Sequence, residues 1–287
     1  MSADLSICIH TRNRPKYLRW TLDRLRKDFP NAEIIVSDNA SDPSYWFAGV
    51  DRWIRHGADI GPFANQRAAL EAGSRKYVVG CADDDCLLPG PLYDAMAWMD
   101  AHPGVVAYYA PFEMWDEVNQ VRIKNAFETG GGTFSIKSRD LLDMLLTSQA
   151  MPEIALYRGP IQFGPLTRAF PPFTQLVDML RRGLVRFGAK PWYRYIAVHP
   201  LDAENGRAQL GHEQSLVMWD EYRAGLEMLA HELYGDQPWR VRRGINEQIT
   251  LYLCGIMRRA ADVLEERKQL DEARMVRARL AICRPGD

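Results

Sequence analysis

The first hundred residues alternate between short apolar runs and amphipathic stretches, and each apolar run stops at a polar cluster. Four runs predict β-strands: LSICIHT (5–11), AEIIVSDNASD (32–42), RWIRHG (52–57) and KYVVGCA (76–82). Leucines spaced by three and four behind Pro15, and the segment PFANQRAALEAGS (62–74), predict intervening helices. Strands alternating with helices predict an α/β fold with a mostly parallel, Rossmann-like sheet flanked by helices.

Polar residues follow three of these strands at the point where each strand ends. The clusters are HTRNR, SDNASD and the three consecutive aspartates Asp83, Asp84 and Asp85. Ligands of open α/β sheets bind at the carboxyl ends of the strands, so these clusters predict a binding site. Adjacent carboxylates suit a divalent cation such as Mg²⁺ or Mn²⁺. The alternative is a solvated turn in which Asp85 begins a capped segment.

The pattern changes after residue 104. Strand-like runs are followed by predicted helices over 138–149 and 172–183, a strand at PWYRYIAVHP (191–200), and a loop over 201–211. Beyond 212, apolar residues recur at helical spacing almost to the end. We therefore predict a first half over 1–102, a second half over 103–211, and a helical C-terminal extension over 212–287.

Composition narrows the classes of partner. The 287 residues carry 36 basic and 37 acidic side chains, a net charge of −1, which offers no bulk attraction to nucleic acid. Five cysteines lack the spacing of a metal site, which favours reduced thiols in the cytoplasm. We expect neither a secretory leader nor a membrane-spanning segment.

The residues LSICIHTRNRPKYLRWTLDRL, EIIVSDNASD and DIGPFANQRAALEAGSRKYVVGCADDDCLLPG together resemble the N-terminal half of a family 2 glycosyltransferase with the GT-A fold. The resemblance covers residues 4 to about 100. It implies a nucleotide-diphospho-sugar donor, a divalent metal at the acidic motif, and transfer of the sugar to an acceptor with inversion. It also implies that 1–102 is the nucleotide-sugar-binding half and 103–211 the acceptor-binding half.

The resemblance also assigns roles to individual residues. Asp38 matches the acid that accepts a hydrogen bond from uracil, which favours a UDP- or dTDP-sugar; a turn-forming Asp is the alternative. The remaining donor-binding matches are His10, Thr11, Arg12, Asn65, Arg67, Asp83 and Asp84. Asp83, Asp85 and His199 match metal-binding positions, with Asp85 as the direct ligand. A structural role for His199 and a solvated side chain for Arg67 are the alternatives.

The general base is not identified by the resemblance, because the Glu-Asp pair that relatives carry before the last strand is missing. A carboxylate must reach the acceptor hydroxyl, and Asp178 and Glu153 are the two candidates. His199 and Glu204 come next. Loss of the base would leave a non-catalytic binding module of the same fold. A sugar nucleotidyltransferase is a further alternative, although HTRNRPK lacks the glycine-rich loop expected there.

The acceptor predicted by the resemblance is a glycan or a lipid-linked glycan. Asn205, Gly206 and Arg207 could close over the diphosphate. WRVRRG (239–244) is a basic run that reads either as a solvated helix face or as a site for an anionic lipid or polymer, with weak peripheral membrane contact. The C-terminal helices offer a surface for self-association.

Overall fold

The computed structural model describes residues 2–202, 219–266 and 268–282. The predicted loop residues Glu204, Asn205, Gly206 and Arg207 lie outside the described part. Two compact units are formed, one by residues 1–135, 150–166 and 178–206 and the other by 136–149, 167–177 and 207–287. The functional division after 102 and after 211 stays a prediction.

The first unit is built on an eight-stranded sheet. Its strands, in chain order, are β1 (Leu5–Thr11), β2 (Glu33–Asp38), β3 (Arg52–Arg55), β4 (Tyr77–Ala82), β6 (Val105–Tyr109), β9 (Gly132–Phe134), β10 (Ala155–Arg158) and β11 (Leu184–Phe187). The spatial order is β3-β2-β1-β4-β10-β6-β11-β9. The pairings among β1 to β4 are parallel, whereas β10 lies antiparallel between β4 and β6. The predicted α/β class and mostly parallel sheet are confirmed.

A second, four-stranded sheet belongs to the same unit. It contains β5 (Cys86–Leu87), β7 (Phe112–Asp116), β8 (Val121–Asn125) and β12 (Tyr193–Val198), in the order β5-β12-β7-β8. β12 corresponds to the strand predicted at 191–200. Because β5 follows the aspartates directly and pairs with β12, the acidic turn stands where the two sheets are connected by the chain.

Helices of the first unit cover the large sheet. They are α1 (Pro15–Asp28), α2 (Pro62–Glu71) and α3 (Pro89–Ala101), and each has a proline in its first turn, where the missing N–H costs nothing. In α1 the residues Leu18, Leu22 and Leu25 are buried, as the leucine spacing predicts. Since β1 ends at Thr11 and α1 begins at Pro15, the helix begins just after the polar end of the strand.

The remaining helices are α4 (Asp140–Ser148), α5 (Pro171–Arg182), α6 (Trp219–Tyr234), α7 (Trp239–Glu266) and α8 (Leu270–Ile282). The last three confirm the predicted helical C-terminal segment. On α7, Ile249 and Leu253 are buried while Leu251 between them is 57% exposed, so one face of this helix packs inward. None of the helices in the described ranges is long and apolar enough to cross a lipid bilayer.

Candidate functional site

The three consecutive aspartates form a tight turn directly after β4, and all three are buried. Asp83, Asp84 and Asp85 are only 3, 3 and 4% exposed. Thr21 of α1 fastens the turn, since its hydroxyl donates to the backbone carbonyl of Asp83 at 2.9 Å and to that of Asp85 at 3.4 Å. Because adjacent carboxylates repel one another, each of them needs a positive charge or hydrogen-bond donors nearby.

Arg14, the residue that precedes α1, faces two of the three carboxylates. Its Nη1 lies 2.7 Å from Asp83 Oδ1 and its Nη2 lies 2.6 Å from Asp84 Oδ2. The hydroxyl of Thr11 donates to Asp83 Oδ2 at 2.6 Å. Burial alone would lower the pKa of Arg14, but the charges of Asp83 and Asp84 raise it above its ordinary value. A single guanidinium thus bridges two buried carboxylates.

Asp85 points the other way, into the four-stranded sheet. The hydroxyl of Tyr193 donates to Asp85 Oδ2 at 2.7 Å, and the backbone N–H of Ile196 donates to Oδ1 at 2.8 Å. The same hydroxyl accepts the N–H of Ala82 at 3.1 Å. Through these contacts, Asp85 attaches the acidic turn to β12. Its role as the direct metal ligand stays a prediction.

The acidic turn fits a hard divalent cation in its chemistry. Asp83 and Asp84 present carboxylate oxygens, the ligand type that Mg²⁺ and Mn²⁺ prefer. Their side chains are 4 and 5% exposed and share one guanidinium as their ion-pair partner among the described residues. Within the described ranges, no group of three His, Cys, Asp or Glu side chains is arranged to hold an ion. A cation at this turn stays a prediction, and it would need further ligands, such as the oxygens of a bound diphosphate.

Asp38 ends β2 directly beside the end of β1, because Thr11 and Asp38 are paired in the parallel register. The carboxylate is fully buried. Its Oδ1 accepts the backbone N–H of Ser41 at 3.1 Å and the Ser41 hydroxyl, and its Oδ2 accepts a hydrogen bond from Arg55 at 2.8 Å. Asp38 is therefore placed at the predicted edge, while its contact with a nucleotide base stays a prediction.

Two buried polar atoms near this edge have no hydrogen-bond partner among the described residues. They are Nδ1 of His10, whose residue is paired with Ala82, and Oδ1 of Asn65 in the first turn of α2. Asn65 uses its Nδ2 to donate to the carbonyl of Thr11 at 3.2 Å. Burial lowers the pKa of His10 to about 4, so the ring is neutral at physiological pH. Such buried polar atoms cost free energy unless a ligand forms hydrogen bonds with them.

Arg12 and Arg67, the two arginines predicted to contact the sugar nucleotide, both interact with other protein groups. Arg12 is exposed and forms an ion pair with Asp59. Arg67 pairs with Glu71 at 2.8 Å and donates to the carbonyl of Phe163 at 2.7 Å. Arg67 thus connects α2 to the loop that follows β10. Donor contacts of both arginines stay predictions.

His199 is buried between two aromatic rings at the end of β12. Its ring centroid lies 4.7 Å from that of Tyr17 and 4.5 Å from that of Trp20. Nδ1 accepts the backbone N–H of Leu201 at 3.1 Å, which in a neutral ring places the proton on Nε2. Whether His199 is a metal ligand or a structural residue stays a prediction.

The two candidate bases lie at opposite ends of β10. Leu156 pairs with Val79 in an antiparallel register, so the residues before β10, including Glu153, run toward the carboxyl end of β4 and the acidic turn. Burial raises the pKa of Glu153 to about 7. Asp178 accepts the backbone N–H of Gly164 at 2.8 Å, in the loop that follows β10. The register therefore directs Glu153 toward the edge that carries the site, and the role of either acid as the general base stays a prediction.

Sequence reasoning missed three residues of the site. Arg14 and Arg55 supply the ion pairs to Asp83, Asp84 and Asp38, and Tyr193 holds Asp85. Arg14 stands in a polar cluster already assigned to the site, and an acidic triplet demands a cation, so this pairing could have been found. The contact of Tyr193 with Asp85 could not be predicted from a local sequence pattern, because the two residues are 108 positions apart in the chain.

The chain was compared with protein-family models and with solved structures. The model of glycosyl transferase family 2 matches residues 6–158, more than half of the 287 residues. TarS 1-349 of S. aureus in complex with UDP-GlcNAc is similar in fold, with a TM-score of 0.55 and 15% identity over 95% of this chain and 90% of that one.

A second similar structure is the mannosyltransferase PcManGT of Pyrobaculum calidifontis in complex with GDP-Man and Mn²⁺. Its TM-score is 0.51, with 12% identity over 97% of this chain and 86% of that one. The comparison with curated proteins finds no match. At these identities, the likeness to solved structures shows the fold alone.

The sheet with its acidic turn at the carboxyl edge defines the class, a GT-A fold of the kind seen in these glycosyltransferases. The chain belongs to glycosyl transferase family 2. The resemblance stated from the sequence motifs and the fold expected from it are confirmed.

Tyr193→Phe tests whether the acidic turn depends on its fastening to β12. The substitution removes the donor to Asp85 and leaves the N–H of Ala82 without its acceptor, so we expect a loss of about 1–3 kcal/mol in the free energy of unfolding. Urea denaturation measures it. The control is Tyr93→Phe, whose hydroxyl takes part in none of the described hydrogen bonds. Equal stability of both variants and the wild type would contradict the role given to Tyr193.

Proposed function

We propose that this protein transfers a sugar from a UDP- or dTDP-sugar to a hydroxyl group of a glycan or lipid-linked acceptor, with the help of a divalent cation. The observation that supports this most is the buried acidic turn at the carboxyl edge of the sheet, where two carboxylates share one guanidinium. Membership of glycosyl transferase family 2 supports the reaction class.

The nucleotide of the donor is proposed to lie along the ends of β1 and β2. Asp38 is positioned to accept from the N3–H of uracil or thymine if the ligand competes with Arg55. The buried Nδ1 of His10 and Oδ1 of Asn65 would form hydrogen bonds with the sugar nucleotide, which would remove the cost of leaving them unpaired. Thr11 holds Asp83 in place for the ribose or the cation.

Mg²⁺ or Mn²⁺ is proposed to bind at the acidic turn formed by Asp83, Asp84 and Asp85. When bound, such an ion takes up negative charge that develops on the leaving nucleoside diphosphate. Asp85 keeps the turn fixed through Tyr193 and Ile196, so the two neighbouring carboxylates stay in register with the end of β1.

Glu153 is our candidate for the general base. With its pKa raised to about 7 by burial, this carboxylate is matched to accept a proton from an acceptor hydroxyl near neutral pH. The deprotonated oxygen attacks the anomeric carbon from the face opposite the leaving group, and this single displacement inverts the configuration. Asp178 is held by Gly164 and is the weaker candidate.

The acceptor is proposed to be a glycan, free or carried on a lipid, which places the protein in polysaccharide biosynthesis. The basic run opens α7, where Trp239 is 60% exposed beside Arg240. The exposure of this basic run agrees both with a helix face in contact with solvent and with a weak contact with an anionic surface. The thiols of Cys8, Cys81 and Cys86 are buried, which agrees with the cytoplasmic location that we propose. Self-association through α6 to α8 stays a prediction.

Thermal unfolding with nucleotide and metal tests the donor site. A ligand that binds only the native state raises its stability by mass action, so UDP should raise the melting temperature more with Mn²⁺ than with EDTA. Asp84→Asn should remove the difference, whereas Asp143→Asn on α4 should keep it. Equal stabilisation by UDP with Mn²⁺ and with EDTA would contradict a metal-bound diphosphate.

The identity of the nucleotide base is tested with a panel of diphosphates. Asp38 accepts a hydrogen bond from uracil or thymine N3–H, and neutral cytosine has no hydrogen there. We expect UDP or dTDP to bind at least about 10-fold more tightly than CDP or GDP, a difference of about 1.4 kcal/mol, and Asp38→Ala to reduce the preference. Calorimetry measures the affinities. Tightest binding by GDP or CDP would contradict the assignment.

Glu153→Gln tests the general base. We expect kcat to fall by about 10²–10⁴ while binding of UDP with Mn²⁺ is unchanged, and the wild-type rate to rise with pH through about 7. Asp178→Asn is the comparison variant, and its kcat should fall much less. Wild-type turnover in Glu153→Gln would exclude this base; binding of donor without transfer by the wild type would favour a non-catalytic module.

The same variant has a stability signature. The folded-state pKa of Glu153 lies above its ordinary value of 4.5, so the folded protein binds more protons and loses stability as pH rises from about 4.5 through 7. Glu153→Gln should therefore be more stable than the wild type at pH 8 by about 1–3 kcal/mol, and not at pH 4. Denaturation at the two pH values measures this.

A further inference from the structure

We propose that a groove between the end of α6 and the beginning of α7 binds a sugar unit that carries a carboxylate or a phosphate group, as part of an anionic acceptor glycan. The groove belongs to the second unit, whereas the acidic turn belongs to the first. The inference rests on the proposed function, because it names the chemical class of the acceptor, and it gives the basic run a binding role.

The groove forms where the chain turns back between two helices. α6 ends at Tyr234, and the N–H of Gly235 donates to the carbonyl oxygen of His231 at 2.8 Å. A Cβ atom on residue 235 would lie 2.6 Å from that same oxygen, so this tight turn requires glycine. α6 and α7 pack against each other beyond the turn, and their adjoining ends enclose a groove of about 460 Å³.

Aromatic side chains form part of the lining. Tyr234 is 8% exposed, and its hydroxyl donates to the carbonyl oxygen of Arg139 at 2.5 Å, which fixes this ring. Trp239 lines the groove and is 60% exposed. An exposed indole offers a large, rigid apolar face, and the C–H groups on one face of a sugar ring pack well against such a surface. Trp239 is therefore available to stack on a saccharide.

The groove also carries positive charge that the fold does not use. Arg243 pairs with Glu247 at 3.1 Å, but both are exposed, and such pairs add little stability. Glu227 of the groove is paired with Arg223 at 2.8 Å. Within the described residues, the guanidinium of Arg242 forms neither an ion pair nor a hydrogen bond. This unpaired fork of donors is complementary to a carboxylate or a phosphate.

The remaining lining favours a saccharide over a lipid surface. His231 and Asn246 also line the groove, and imidazole and amide groups form hydrogen bonds with hydroxyl groups. The volume falls in the range of about 300–1,000 Å³ that is typical of small-molecule sites. Helices that lie on a membrane instead present a continuous apolar face to the lipid. A concave site with an aromatic wall, a cation and neutral polar groups suits an anionic sugar.

Titration with charged and neutral saccharides tests the groove. The charged probes are a galacturonate tetrasaccharide and glucose 6-phosphate, and their neutral counterparts are maltotetraose and glucose. We expect at least one charged probe to bind about 10-fold more tightly than its counterpart, because only the charged probe forms charge-assisted hydrogen bonds. Calorimetry at one fixed, low ionic strength measures the affinities. The probe that binds identifies the anion as carboxylate or phosphate.

Two substitutions separate the contributions of charge and ring. Arg242→Gln removes the unpaired charge, and Trp239→Ala removes the aromatic wall. Each should weaken binding of the charged probe about 10-fold. The control is Arg258→Gln, an exposed arginine on the same helix outside the groove, which should bind the probe like the wild type. Because all three side chains are exposed, each variant should keep the wild-type melting temperature.

Three results would overturn the proposal. They are equal affinities for charged and neutral saccharides, an equal loss in Arg242→Gln and Arg258→Gln, and binding of phosphatidylglycerol vesicles through Arg242 and Trp239 when neither charged saccharide binds. Binding of UDP with Mn²⁺ is measured on the same proteins and should be unchanged in the variants. Failure of the wild type to bind UDP with Mn²⁺ would contradict the proposed donor site and not the groove.

Discussion

Repulsion among three adjacent buried carboxylates is the constraint around which the first unit is organised. Each carboxylate of the acidic turn is stabilised by a different part of the chain. Asp83 and Asp84 are held from the start of α1 by Arg14, and Asp85 is held from β12. Because every one of these contacts is required to offset a charge, the ends of β1 and β4, the beginning of α1 and the second sheet are fixed at one place.

Burying three carboxylates costs free energy, and this cost indicates that the acidic turn has a role beyond the stability of the fold. A buried acidic turn that served only the fold could be replaced by apolar residues at little or no loss in stability. Arg14, whose side chain is 32% exposed, contacts Asp83 and Asp84 at the carboxyl edge, where the fold class places its ligands. We propose that these acids bind a cation together with a diphosphate there.

The sequence predicted the local elements and the edge of the site, because both depend on patterns within a few residues. Apolar periodicity is sufficient for β1, α1, β2 and β4, and Asp38 and Asp83 follow their strands directly. The antiparallel insertion of β10 and the contact of Tyr193 with Asp85 were out of reach, since they join residues that are far apart in the chain. His199 shows the same limit, because its packing against the ring of Tyr17 joins residues that are far apart in the chain.

The environment divides the carboxylates of this unit among different roles. Asp83 and Asp84 lie beside the guanidinium of Arg14, whereas burial raises the pKa of Glu153 to about 7. A carboxylate with a pKa near neutral pH is suited to general base catalysis. We therefore propose that the acids after β4 hold charged ligands and that the acid before β10 takes part in proton transfer. The antiparallel course of β10 allows both to share one edge of the sheet, because it brings the start of that strand to the end of β4.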